Sequence, residues 1–234
     1  MFARFYVFSS GVVLATAVSA LAVDFTLDDA IDEFIDTDTT TGSSVVQDEA
    51  DPRRMTFAIS DPARSRAEIR RASQTGGRQA MGGTFTLLDD SGDFLSIIQV
   101  LNVKTRGKPS GPSEPVAQLA IRKTGDYKNV GGEMRATYEF YIEQQSGKPA
   151  CTALGMFTRG EAVTLSMSYG EGQWPVFQRD GDPVKTCTSG KPDRVVGKPT
   201  GKAGGAYYYY GKLGIYKTNR GTGAATAMWA SIYD

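Results

Sequence analysis

Histidine is missing from all 234 residues. The side chain most often used to carry protons near neutral pH and to ligate metals is therefore absent, so acid–base chemistry must fall to carboxylates, lysines or tyrosines. Cysteine occurs only at Cys151 and Cys187. An even count without histidine partners disfavours zinc and, in an oxidising compartment, favours one disulfide closing the 35 residues between them. No N-x-S/T sequence occurs, so no N-glycosylation is expected. No D-x-D-x-D loop announces a calcium ion, and no cofactor is expected. A second long apolar run is lacking too. The one at the start, "MFARFYVFSSGVVLATAVSALAV", carries a single charge at Arg4 and small residues at Ala20 and Ala22. It predicts a secretory signal peptide over residues 1–22, cut after Ala22, and hence a secreted protein. Broken by Ser9, Ser10, Gly11 and Thr16, it is short for a bilayer span.

Net charge is also nil, with 26 basic and 26 acidic residues, but the two signs are segregated. Val23 to Asp51 holds ten acids and no base, so from Arg53 onward 25 bases face 16 acids, a balance of 25 − 16 = +9. A body of that sign attracts a polyanion. The acidic arm, residues 23–52, reads as a short N-terminal helix capped by Thr26, with Leu27, Ile31, Phe34 and Ile35 on one side, then a Thr/Ser/Gly linker. It is expected to be peripheral to any catalysis, although its acids also make it a candidate internal mimic of the polyanion.

Beyond Arg53 the period becomes two. "EMRATYEFYIEQQ" sets Met134, Ala136, Tyr138, Phe140 and Ile142 against Glu133, Arg135, Thr137, Glu139, Tyr141 and Glu143. Similar runs ("GGTFTLL", "FLSIIQVLNV", "PVAQLAIRK", "AVTLSMSYG", "WPVFQRDG", "ATAMWASIYD") alternate with Gly, Pro, Asp and Ser clusters. Many short strands with frequent turns predict an all-β domain over 53–234, a jelly-roll sandwich of two antiparallel sheets.

Three strand-like segments place polar groups where packing alone would not. In "YYYYGKLGIYKTN", Tyr208, Tyr210, Lys212, Gly214 and Tyr216 share one face. Phenols and an ammonium make a poor core but a good lining for a polar groove. In "RSRAEIR", Arg66, Glu68 and Arg70 share a face, which taken alone reads as a surface ladder of charges. In "SIIQVLNV", Gln99 interrupts an apolar run, and a lone strand glutamine is usually a satisfied hydrogen-bonder.

Together these segments resemble known motifs. "RAEIR" resembles the R-[ST]-E-[LV]-R of the alginate lyase family, polysaccharide lyase family seven. "QVL" resembles its Q-[IV]-H, "YGKLGIY" its Y-F-K-A-G-x-Y, and "FQRDGDP" sits where the family has a turn. The likeness covers about Arg53 to Asp234 and extends to the fungal glucuronan lyases, which share the jelly roll. It implies a monomeric lyase acting on an anionic polysaccharide, with no nucleic-acid or membrane partner. Arg66 or Arg70 and Gln99 would neutralise the uronate carboxylate, and Glu68 would orient the arginines. Lys212 would add positive potential and Tyr216 would move the proton, while Tyr208 or Tyr210 would bond Tyr216 or stack on a sugar. The family's histidine falls on Leu101. A phenol, with an ordinary pKa of about 10, is a reluctant base, though neighbouring cations favour the phenolate. One tyrosine can serve as base and acid only where the C5 proton and O4 lie on the same side of the sugar, as in β-mannuronate and β-glucuronate. The departure fits syn elimination. It also fits loss of catalysis and a lectin-like binding protein, which ranks behind the lyase because binding alone does not need Tyr216 beside Lys212, and a hydrolase using Glu139 and Glu143 ranks last.

Overall fold

The computed structural model describes residues 34–73, 78–89, 91–103, 114–144, 149–151, 154–170, 175–183, 208–218 and 221–233. Among these every regular element is a strand. The acidic arm supplies β1 (Phe34–Thr39) and β2 (Ser44–Gln47); β3 (Met55–Ile59), β4 (Arg66–Arg71), β5 (Arg78–Leu87) and β6 (Phe94–Val103) follow. Next come the long hairpin of β7 (Glu114–Val130) and β8 (Glu133–Gln144), then β9 (Pro149–Cys151), β10 (Met156–Thr158) and β11 (Val163–Gly170). The chain ends with β12 (Val176–Arg179), β13 (Asp182–Pro183), β14 (Tyr208–Lys217) and β15 (Ala225–Tyr233).

These strands form two antiparallel sheets. One runs β1-β4-β14-β6-β7-β8-β10, with β9 also on β8; the other runs β13-β12-β11-β5-β15-β3-β2. One continuous core lies between them, because period-two alternation turns Ala67, Ile69, Leu119, Phe140, Leu213 and Ile215 of the first sheet toward Phe57, Phe85, Leu165, Met167 and Trp229 of the second. Aromatic rings stitch the layers together: Phe85 of β5 lies 5.2 Å from Trp229 and meets Phe157 of β10 edge-on at 6.0 Å, while Phe157 stacks on Phe140 at 4.5 Å.

Register irregularities serve the packing. In β15 the register shifts between Ala230 and Tyr233, where Ser231 adopts φ 50°, and Ile232 is thereby returned to the core. Gly214 of β14 has φ 148°, and a Cβ there would stand 2.8 Å from the Glu68 Cα, so the close approach of β4 to β14 requires glycine.

The arm differs from its expected form. The part of the proposed helix before Phe34 lies outside the described residues, but Phe34 and Ile35 open a strand, and the stretch read as a linker continues that strand to Thr39 and leads into β2. β1 pairs with β4 in the first sheet and β2 with β3 in the second, so the arm is stitched into both layers. Physically, "FIDTDT" offers β-branched Ile35, Thr37 and Thr39 at alternate positions, a strand preference that a helical reading of Phe34 and Ile35 overlooks. Cys187 and the Cys151 side chain, and with them the expected disulfide, lie outside what the structure describes. Truncating Phe85 to Ala should lower unfolding free energy by about 3–5 kcal/mol through lost burial and the cavity left between the sheets. Urea unfolding of the variant beside the parent checks it, and a loss below about 1 kcal/mol would contradict this account of the core.

Candidate functional site

The tyrosine run divides as alternation requires. Tyr209 enters the core, where its ring meets Tyr169 edge-on at 5.7 Å; Tyr208, Tyr210, Lys212 and Tyr216 take the first sheet's other face. Tyr207 lies outside the described residues. Pairing then sets what stands beside Lys212: Arg70 on β4 to one side and Gln99 on β6 to the other. One turn of the pleat along, Gly214 faces Glu68, and at the strand's end Tyr216 faces Arg66. The three sequence segments singled out above are thus three adjacent strands of one sheet.

Lys212 is the centre of this face. The residue is 4 % exposed, yet its ammonium donates to Glu68 Oε2 at 3.2 Å and to Asp38 Oδ2 at 2.6 Å. Glu68, 3 % exposed, receives a second hydrogen bond on Oε1 from the Gln99 amide, so both its oxygens are engaged. Asp38 Oδ2 also accepts from Arg66 Nη1 at 3.1 Å, and the Arg66 guanidinium lies over the Tyr216 ring, 5.1 Å from its centroid. An unbroken chain of contacts therefore runs Gln99, Glu68, Lys212, Asp38, Arg66, Tyr216. Glu68 is not part of a surface ladder.

Protonation follows from these contacts. Burial pushes the Glu68 carboxyl above its usual value, and the Lys212 charge only partly offsets this. Burial acts upward on Asp38 as well, but the hydrogen bonds and charges of Lys212 and Arg66 outweigh it and hold that carboxyl below the usual range. Lys212 would lose its proton more easily on burial alone; Glu68 and Asp38 reverse the effect and raise its pKa. At neutral pH the cluster therefore holds an ammonium and a guanidinium against two carboxyl groups.

Other expected residues are placed differently. Tyr210 pairs with Leu101 and forms a small apolar cluster with Leu101, Val103 and Tyr208. Tyr210 lies six residues along β14 from Tyr216, about 20 Å at strand rise, too far for the expected bond between phenols. Glu139 is held by Arg122, which suits a solvated strand face and not a hydrolytic pair. Tyr141, assigned by alternation to a polar face, is buried against Phe94 and Ala120.

Two residues were missed. Asp38 was hidden by the helical reading of the arm, although alternation in "FIDTDT" sets Asp36 and Asp38 on one face. Gln118 of β7 pairs with Gln99, is buried, and its Oε1 has no hydrogen-bond partner among the described residues. Its signal was the same as that of Gln99, a glutamine inside an apolar strand.

Replacing Lys212 by Met should cost about 3–5 kcal/mol at neutral pH, because Asp38 and Glu68 are left facing each other. The pH dependence should also change, because in the parent the raised Glu68 carboxyl and the depressed Asp38 carboxyl act in opposite directions. In the parent, the depressed Asp38 carboxyl contributes stability above its unfolded pKa that is lost on acidification. In the variant both carboxyls should be raised, so stability should climb as pH falls toward about 4. Urea unfolding at neutral and acid pH tests both parts; identical slopes for parent and variant would refute the cluster's role.

No protein-family model matches the chain, and no curated protein matches it. Among solved structures, it is similar to an alginate lyase described as a member of polysaccharide lyase family 7, with a TM-score of 0.49 and 16 % identity over 83 % of each chain. It is similar also to an alginate lyase from Alteromonas sp. 272, with a TM-score of 0.49 and 13 % identity over 85 % of this chain and 92 % of that one. A legume lectin-like domain from Entamoeba histolytica gives a TM-score of 0.41 and 7 % identity over 85 % and 89 % of the two chains.

Proposed function

We propose that the protein is a secreted, monomeric jelly-roll polysaccharide lyase that cleaves β-1,4-linked polyuronate, glucuronan or polymannuronate, by syn β-elimination. The observation that carries this reading is the contact between Arg66 and the Tyr216 ring at one end of the chain of contacts that reaches Lys212, Glu68 and Gln99. The candidate proton carrier and the candidate neutralisers of a carboxylate are thereby on one face of three adjacent strands.

In this mechanism the sugar carboxylate is met by Arg66 and Gln99, with Arg70 on the same face. The planar guanidinium fork suits a carboxylate, and its charge opposes the second negative charge that builds up as the C5 proton leaves. The Tyr216 phenolate takes the C5 proton. Electrons of that C–H bond form the C4–C5 double bond, the C4–O4 bond breaks, and the same phenol returns its proton to O4. No water is consumed, and Tyr216 ends as it began. Glu68 is a positioning residue, held by Gln99 and Lys212 on its two oxygens.

A second reading is a carbohydrate-binding protein without catalysis. It is favoured by Leu101, which replaces the histidine of the motif that "QVL" resembles and is committed to an apolar cluster with Tyr210 and Val103.

Incubating the mature chain separately with glucuronan, polymannuronate and polyguluronate, while following ultraviolet absorbance of the unsaturated product, decides between the two. Product is expected from one or both of the first two, with Tyr216→Phe lowering kcat at least about 100-fold in a protein of unchanged melting temperature. Cleavage of polyguluronate alone would defeat the stereochemical argument, and binding without product selects the second reading.

A further inference from the structure

We propose that Asp38 is a built-in occupant of a carboxylate seat formed by Lys212 and Arg66, which an anionic sugar must displace in order to bind. The inference rests on the anion-binding half of the function proposed above and not on its chemistry. A single oxygen, Asp38 Oδ2, lies 2.6 Å from the Lys212 ammonium and 3.1 Å from Arg66 Nη1. The protein itself thus demonstrates that these two cations hold a carboxylate together.

Three observations separate Asp38 from an ordinary structural ion pair. The first is charge. Lys212 and Arg66 carry two positive charges against Glu68, whose carboxyl burial raises, so at least one positive charge is left for a further carboxylate, whether it comes from Asp38 or from a uronate. The second is position. Glu68 is 3 % exposed, whereas the Asp38 and Arg66 side chains retain 24 % and 32 % exposure. The third is the strand that carries it. Among the described residues β1 is an edge strand paired with β4 alone, its register shifts between Phe34 and Asp36, and Thr37 and Thr39 on either side of Asp38 are exposed. An edge with one partner opens locally at less cost than a central strand. Glu68 would then remain to pair Lys212 while the seat changes hands.

The test is the affinity of D38N for oligomers of polymannuronate and glucuronan, measured by calorimetry beside the parent and beside D48N, a distant acid that caps a turn. An occupant that leaves the seat open about a tenth of the time weakens apparent affinity about tenfold. D38N should therefore bind at least about tenfold tighter than the parent, with D48N unchanged. Equal or weaker binding by a folded D38N overturns the proposal, as does the absence of binding by both proteins. Should D38N fail to fold, hydrogen exchange of the parent decides: saturating polymannuronate should speed exchange in Phe34–Thr39, and unchanged or slower exchange overturns it. Product formation is read separately. Tighter binding by D38N with no product from either protein upholds the seat and removes the lyase, whereas product with no difference in affinity does the reverse.

Discussion

An ammonium 4 % exposed in the middle of a sheet is the constraint from which the rest of this face follows. Leaving such a charge unpaired costs several kcal/mol, and pairing repays the cost only where geometry and further hydrogen bonds are good. Lys212 meets that requirement with strands on both sides. Glu68 comes from β4, and the Gln99 amide from β6 holds the other oxygen of Glu68. The register of three strands is therefore fixed by electrostatics on one face and by Ile69, Leu213 and Val100 in the core on the other. A one-residue slip would bury Lys212 between the sheets and expose Leu213. The second carboxylate, Asp38, draws the acidic arm into the same sheet, so the segregation of charge along the chain becomes a contact within the fold.

The arm also changes what the positive body means. An excess of nine positive charges from Arg53 onward suggests an open cationic groove, but Lys212 and Arg66 already face the carboxyl groups of Glu68 and Asp38. A tethered carboxylate acts at an effective concentration that can reach the millimolar range, so one free sugar acid competes poorly with it. A polymer differs, because contacts by several residues add before the seat itself is contested. Discrimination between short and long polyanions would then arise from the competition, with no contact specific to chain length.

Strands were legible in the sequence wherever one side met the core and the other water. The alternation of "EMRATYEFYIEQ" placed Ala136, Tyr138, Phe140 and Ile142 correctly, and that of β14 separated Lys212 and Tyr216 from Leu213 and Ile215. The same rule failed for Tyr141, because the first sheet's other face carries its own apolar clusters and burial there does not follow a simple inside and outside. Asp38 was illegible for a different reason. Its partner Lys212 is 174 positions away, and Phe34 with Ile35 satisfies a helical period as well as a strand period over so short a span. Only pairing with β4 settles the matter. The motifs identified which residues would meet, whereas the charge balance among them needed the arm's position.

Burial then sorts the acidic and basic groups of this face into roles. Glu68 has a carboxyl raised by burial, a property often found in general bases, but both its oxygens accept hydrogen bonds and its side chain scarcely reaches solvent. A base must approach the proton it removes, so Glu68 is confined to orienting Lys212 and Gln99. Asp38 is nearer the margin but is held on one oxygen by two cations, which makes it a weak proton acceptor. Tyr216 is only half-buried, at the end of β14, with a guanidinium over its ring. Leu101 is committed to Tyr210 and Val103 and carries no proton. Under the lyase proposed above, a single proton carrier suits syn elimination, and a sugar with its C5 proton and O4 on opposite sides would be a poor substrate.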